Sequence, residues 1–316
     1  MQLTTDKTAP RRHWAVLAVV AAVMAGAAVW VVSSHTIAGS ASPRTLSVPA
    51  LSWPSGGQTA VDVEGLGRIG TIGVQAPVPI ASVTKVMTAY VVLRDHPLRD
   101  GEAGPDIVID QQAEAESSST EESTAPVRAG QRFSERRLLE LMLIPSGNNI
   151  ARQLARWDAG SQEAFVEKMN RAAADLGMTD TKYTGASGVE DSTTSTASDQ
   201  LLLAHAAMRD AVIRSIVAMP NVQVGNGGRT LPNTNTLLGR SGVIGLKTGS
   251  STAAGGALMW AAEPTDGATK RLVLGVVLHQ NSGNSPRAGL EAALSESGKL
   301  IAAVEHALPA IVTANR

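Results

Sequence analysis

Ser82 and Lys85 stand one helical turn apart in "PIASVTKVMTAY", residues 79 to 90, a stretch that otherwise reads as buried and apolar. A serine hydroxyl is a poor nucleophile until a base takes its proton, and a neutral lysine can do this where burial and nearby cations lower its pKa. Residues i and i+3 share a helix face. A serine at a helix N-terminus also lies in the field of unpaired backbone N–H groups, which favours developing negative charge. Two more polar groups follow in order: Ser146-Gly147-Asn148 in "PSGNN", and Lys247-Thr248-Gly249-Ser250 in "GLKTGS". Singly, each fits a bland role: a serine cap with a snorkelling lysine, a chain turn, an exposed strand-edge charge. In sequence together they require three coincidences in the right order.

The elements that must hold these groups follow from periodicity. Residues 60 to 73 partly alternate around glycines and suggest a hairpin. Val83, Val86, Met87, Tyr90 and Val91 form one helical face, so Ser82 and Lys85 begin a helix. Residues 111 to 131, polar, acidic and Ser/Thr-rich, read as an exposed loop or short edge strands. Residues 134 to 157 read as two helices joined at Pro145, which puts Ser146, Gly147 and Asn148 on the turn. Further helices are expected at 161 to 176 and at 198 to 213, the second capped by Ser198. Residues 242 to 250, 255 to 263 and 271 to 279 read as strands, and residues 285 to 308 as a helix with Ser285 at its cap and Pro286 in its first turn. Strands, a helical insert, strands and a closing helix make an α+β chain.

Composition narrows the function. The 316 residues carry 27 basic and 28 acidic side chains, so no charge surplus points to nucleic acid. With no cysteine there is no thiolate nucleophile and no disulfide. The six histidines are scattered and none falls in an HExxH arrangement, so no metal is assigned. Arg11, Arg12 and His13 precede an apolar run, residues 14 to 32, long enough to span a bilayer. The expectation is a cytoplasmic N-terminus (1–13), an anchor (14–32), a Pro/Ser/Gly linker (33–57), an extracytoplasmic catalytic domain (58–308) and a C-terminal tail (309–316). Small residues at 36 to 42 would instead permit cleavage and secretion.

With "PIASVTKVMTAYVVL", "LLELMLIPSGNNIA", "YTGASGVEDSTTSTASDQLLLA" and "LPNTNTLLGRSGVIGLKTGSSTAAGGALM" on the page, the chain resembles the serine penicillin-binding proteins, specifically the low-molecular-mass D-alanyl-D-alanine carboxypeptidases, over roughly residues 58 to 308. The resemblance implies a β-lactamase/transpeptidase-like α+β fold, an antiparallel sheet flanked by helices with an inserted α-helical subdomain. It implies that Ser82 attacks the penultimate D-alanine carbonyl of a stem peptide, that Lys85 takes its proton, and that Ser146 relays a proton to the leaving D-alanine. Asn148 would hold Lys85 and the substrate amide, and Lys247 and Thr248 the terminal carboxylate. Gly249 would let the strand edge approach the substrate, and the N–H groups of Ser82 and Ser250 would form the oxyanion site. No cofactor is implied; β-lactams would be covalent inhibitors. The segments 192 to 199 and 233 to 239 are assigned to packing. Endopeptidase and weak transpeptidase activities would use the same residues. A class A β-lactamase would need a glutamate such as Glu190, which lacks the expected context, and a non-catalytic wall or β-lactam sensor would not need intact motifs.

Overall fold

The computed structural model describes residues 48–225, 227–265 and 270–315. The apolar run at 14–32, the residues before it and most of the linker lie outside them; no helix of the described residues is long and apolar enough to cross a membrane. The chain opens with the hairpin of β1 (Gln58–Val63) and β2 (Gly67–Ile72), passes through β3 (Val78–Pro79) and a 3-10 turn (Ala81–Thr84), and enters α1 (Lys85–Asp95). Next come β4 (Asp106–Val108), α2 (Gln111–Glu116), β5 (Arg132–Ser134), α3 (Glu135–Leu143), α4 (Asn148–Ala159) and α5 (Gln162–Asp175). The middle ends with β6 (Thr194–Ser195), α6 (Ala197–Arg209), α7 (Ala211–Val217), β7 (Asn221–Gln223) and β8 (Thr230–Pro232). Three strands, β9 (Val243–Ser251), β10 (Gly255–Ala262) and β11 (Val273–Gln280), and the helix α8 (Pro286–Ala314) close the fold.

The main sheet is antiparallel with order β2-β1-β11-β10-β9. The N-terminal hairpin therefore completes a sheet built by the C-terminal strands, and β9 is left at an edge with Lys247 opposite Met259 of β10. Every residue of β10 is buried. Leu258, Trp260 and Ala262 face the core under α8, with Leu300, Ile301, Val304 and Leu308. Ala257, Met259 and Ala261 face the core shared with the helical insert. Two covered faces explain why β10 is a continuous apolar run instead of an alternating one.

Helix starts follow local chemistry. Ser134, Ser161, Thr196 and Ser285 each accept a hydrogen bond from the backbone N–H three residues on, satisfying a donor that the first turn leaves unpaired. The cap expected at Ser198 thus belongs to Thr196. The helix expected to run to residue 213 breaks at Asp210, whose extended backbone ends α6 and whose side chain accepts from Val212 and Ile213 N–H to start α7. The tail expected from 309 is helical to Ala314: Pro309 lies inside α8, and Ile311 and Val312 beyond it are buried in the core under the helix. Apolar burial there offsets the lost backbone donor. At the other end, Val48, Leu51 and Trp53, read as linker, pack on the same core.

Candidate active site

The turn carrying Ser82 is gripped from three sides. Ala81 has a left-handed backbone, φ 45°, a sparsely populated conformation for a residue with a Cβ. Thr84 Oγ1 donates to Ala81 O at 2.7 Å, and Thr88 Oγ1 donates to Ala186 O at 2.6 Å, tying α1 to the loop after α5. In that loop Gly188 has φ 81°, and a Cβ there would fall 1.9 Å from Ala81 O. Only glycine fits both the conformation and the gap.

Lys85 is fully buried, and its Nζ meets Ser82 Oγ at 2.8 Å, Asn148 Oδ1 at 2.5 Å and Ser187 O at 2.7 Å. Ser187 O is an obligate acceptor. Asn148 presents its oxygen because its Nδ2 donates to Glu122 Oε2 at 2.7 Å. A neutral amine has two hydrogens and one lone pair. Its two hydrogens go to Asn148 and Ser187, which leaves the lone pair facing the Ser82 hydroxyl. Burial, then the cations of Lys247 and Arg152, push the Lys85 pKa well below its ordinary value, against the opposing carboxylates of Glu122 and Glu190. This pair can therefore perform base-assisted nucleophilic attack.

Pro145 separates α3 from α4 as expected, and Ser146 takes a left-handed backbone, φ 69°, in the turn between them. Ser146 is buried, and Asn148 opens α4. Residues 111 to 131 are largely exposed, as expected, but they begin with α2 and are tied down at a few buried points. Asp110 caps α2, and the buried Asn149 accepts from Ala125 N and donates to Ala125 O and Ala113 O. The segment is thereby clamped to α4 and delivers Glu122, which also accepts from Arg152 Nη2 at 2.7 Å and Nη1 at 3.2 Å.

On β9, Lys247 is buried and its Nζ donates to Thr248 O at 3.1 Å. Burial lowers its pKa to about 7. The hydroxyls of Thr248 and Thr234 lie 2.6 Å apart, so the 233–239 segment touches the site and is not packing alone. The free edge of β9 lies along the Ser82 turn: a Cβ on Gly249 would come within 2.9 Å of Ile80 O, 3.0 Å of Val83 N and 3.1 Å of Ser82 N. The absent side chain thus leaves room for β9 against the Ser82 turn.

A cleft of about 530 Å³ opens over these groups, lined by Ser82, Asn148, Ser250, Glu121, Glu122 and Val189 among others. Ser146, Lys247 and Thr248 are not among its lining residues. A larger groove, about 720 Å³ beside Trp53 and β2, contains none of the motif residues. Glu190 does not line the cleft either; a Cβ on Gly185 would meet its carboxylate, and its Oε2 is buried without a hydrogen-bond partner among the described residues. Among the described residues no group of three or more acidic or histidine side chains could hold a metal ion. Sequence reasoning missed Glu122, Arg152, Thr234 and the Ser187 carbonyl. A carbonyl leaves no trace in residue type, but Arg152 sits one helical turn from Asn148, on the same face of α4, and an arginine there needs an anionic partner.

Comparison with known proteins gives a consistent result. A family model described as D-alanyl-D-alanine carboxypeptidase matches residues 72–281. The D-alanyl-D-alanine carboxypeptidase DacB2 of Mycobacterium tuberculosis is 37% identical over 182 residues, 56% of this chain and 59% of the relative. A D-alanyl-D-alanine endopeptidase of Pseudomonas aeruginosa is 40% identical over 122 residues, 39% of this chain and 37% of the relative. The chain thus matches 59% and 37% of the lengths of these two curated relatives. Among solved structures, the Streptomyces K15 DD-transpeptidase superposes with a TM-score of 0.68 at 27% identity, covering 81% of this chain and 98% of that one.

Proposed function

The chain belongs to the D-alanyl-D-alanine carboxypeptidase family, and from that premise we propose that it removes the terminal D-alanine from peptidoglycan stem peptides through an acyl-Ser82 intermediate. The observation that carries this reading is the buried Lys85, whose Nζ lies within hydrogen-bond distance of Ser82 Oγ and of two acceptors, Asn148 Oδ1 and Ser187 O, that would take both hydrogens of its neutral form. As Oγ bonds to the penultimate D-alanine carbonyl carbon, Lys85 accepts its proton. The developing oxyanion takes hydrogen bonds from the N–H groups of Ser82 and Ser250, donors worth most where charge appears only in the transition state. Ser146 relays the proton held by Lys85 to the leaving amine as its C–N bond breaks. Water then attacks the ester while giving a proton to Lys85, and that proton returns to Ser82 Oγ as the ester bond breaks. Lys247 and Thr248 hold the free carboxylate that marks a chain terminus. The scheme uses no cofactor, and a β-lactam, which opens on Ser82 without losing a leaving group, would arrest it at the acyl stage.

A peptidoglycan substrate requires the site to face the exterior. The basic residues before the apolar run at 14–32 support a single-pass anchor with the catalytic domain outside, and protease digestion of intact cells that degrades this domain would test it.

The activity is tested by intact-mass spectrometry of the detergent-solubilised full chain, given penicillin and, separately, a pentapeptide ending in D-Ala-D-Ala. A penicilloyl adduct on Ser82 together with D-alanine release is the expected result; an unmodified protein that releases no D-alanine would overturn the proposal. The endopeptidase relative favours a second reading, cleavage of D-alanyl crosslinks. An adduct with crosslink cleavage and no D-alanine release would select it.

A further inference from the structure

We propose that Glu122 is a positioning residue for the Ser82–Lys85 pair, fixing the orientation of the Asn148 amide so that the lone pair of Lys85 is kept for the Ser82 hydroxyl. The inference rests on the acyl-serine reading above. Three contacts make one chain: Glu122 Oε2 accepts from Asn148 Nδ2 at 2.7 Å, Asn148 Oδ1 accepts from Lys85 Nζ at 2.5 Å, and Lys85 Nζ lies 2.8 Å from Ser82 Oγ. An asparagine amide can turn over about its last bond. Turned, it would aim its NH2 at Lys85 and draw the lone pair away from Ser82. Glu122 accepts hydrogen bonds and donates none, so it holds the NH2 on its own side.

Glu122 is itself held. Arg152 binds both its oxygens and is held in turn by Glu116 Oε2 at 2.9 Å. Burial acts to raise the Glu122 pKa, but hydrogen bonds from Arg152 and Asn148 prevail and keep it a carboxylate. The charged groups facing Lys85 are Lys247 from β9, Arg152 from α4, Glu122 from the segment after α2 and Glu190 from the loop after α5. Glu122 is thus one of two anions opposing two cations around the base. Its removal has two separable consequences: a freed Asn148 amide and a base that loses its proton more readily.

The test uses the full chain and two substitutions, Glu122→Ala and Glu122→Gln, with thermal unfolding as a check on folding. Acylation by a fluorescent penicillin is followed against pH, and Lys85 is titrated by side-chain NMR, its resonance identified by loss in Lys85→Arg. In Glu122→Ala the plateau acylation rate should fall roughly 10- to 100-fold, the size expected on losing a charge-assisted hydrogen bond that orients the base. Glu122→Gln keeps an acceptor oxygen for Asn148 and should recover most of that loss. In both, Lys85 should titrate at lower pH, and the acid limb of the acylation profile should move with it. Lys85 titrating at the wild-type pH in both variants, or equal losses in both variants at every pH with the limb unmoved, would overturn the proposal. A wild-type chain that is not acylated would defeat the carboxypeptidase reading instead, and a Lys85 titration unshifted in both variants would still overturn the role given to Glu122.

Discussion

Gly249→Ala tests the approach of β9 to the nucleophile with the least change in chemistry. The new Cβ would lie 2.9 Å from Ile80 O, 3.0 Å from Val83 N and 3.1 Å from Ser82 N. All three are backbone atoms of the Ser82 turn, so no flexible side chain can move aside. Carbon needs about 3.5 Å from such neighbours, so β9 and the turn must separate by roughly half an ångström. On the proposed oxyanion assignment, the N–H groups of Ser82 and Ser250, one on each side of that gap, would be drawn apart and meet the oxyanion less well. Losing one such donor outright costs about 10²–10³ in rate; stretching both should cost roughly 10- to 100-fold, or about 1.4–2.8 kcal/mol of transition-state stabilisation. The assay is the second-order rate of acylation by a fluorescent penicillin, read beside D-alanine release and thermal unfolding. Overpacking should also lower stability by about 1–3 kcal/mol. Acylation within about threefold of wild type in a folded variant would refute the assigned oxyanion geometry.

Four other outcomes follow from the same structure. Ser82→Ala should abolish covalent labelling while leaving reversible binding of the stem peptide, read by calorimetry; residual adduct would displace Ser82 as nucleophile. Lys247, with its pKa lowered to about 7 by burial, is charged below that pH and neutral above it. The KM for free-carboxylate substrates should therefore rise as pH passes 7, while C-terminally amidated analogues should show no such rise. Lys247→Met removes a buried amine with one backbone acceptor, and should raise thermal stability most below pH 7, where the folded chain carries the buried charge; the gain should fade toward pH 10, and a gain that grew with pH would contradict the assignment. Glu135 is buried, its carboxylate oxygens have no hydrogen-bond partner among the described residues, and burial, then Asp158 and Glu102, raise its pKa from 4.5 to about 7. Because the unfolded chain releases this proton first, stability should fall as pH rises from 4.5 to 7, and Glu135→Gln should recover about 1–2 kcal/mol at pH 8 and little at pH 4, allowing for solvent screening.

Residue type pointed to the candidate site: Ser82, Lys85 and Asn148 meet in the structure, while the roles given to Ser146 and to the Lys247-Thr248-Gly249 strand rest on residue type and order. Strands and helices followed from periodicity because each buries an apolar face; the errors fell where local chemistry competes, as at Asp210, which ends one helix and caps the next, and at Pro309, which apolar burial overrides. Glu122 was hidden for a different reason. In a Ser/Thr-rich acidic segment its type resembles a solvated surface, and its role depends on Asn149 folding that segment back onto α4. Contacts made by backbone, such as Ser187 O with Lys85, cannot be read from side-chain types at all.

The two buried lysines are the same residue in similarly dry surroundings, yet their partners differ. Lys85 has two protein acceptors for its two hydrogens, so its neutral form is complete without a ligand. Among the described residues Lys247 makes one hydrogen bond, to Thr248 O at 3.1 Å, so its charged form would gain from an anion. Burial alone would make both poor cations. In the proposed mechanism the acceptors would decide which becomes a base and which a receptor: a satisfied neutral amine can take a proton from Ser82, whereas an unsatisfied amine with a pKa near 7 gains most from a carboxylate that pairs with its protonated form. A neutral amide can accept a hydrogen bond from Lys247 but cannot restore its charge. On the proposed function, selection for a free carboxylate would follow from what the fold withholds from Lys247, as base catalysis would follow from what it supplies to Lys85.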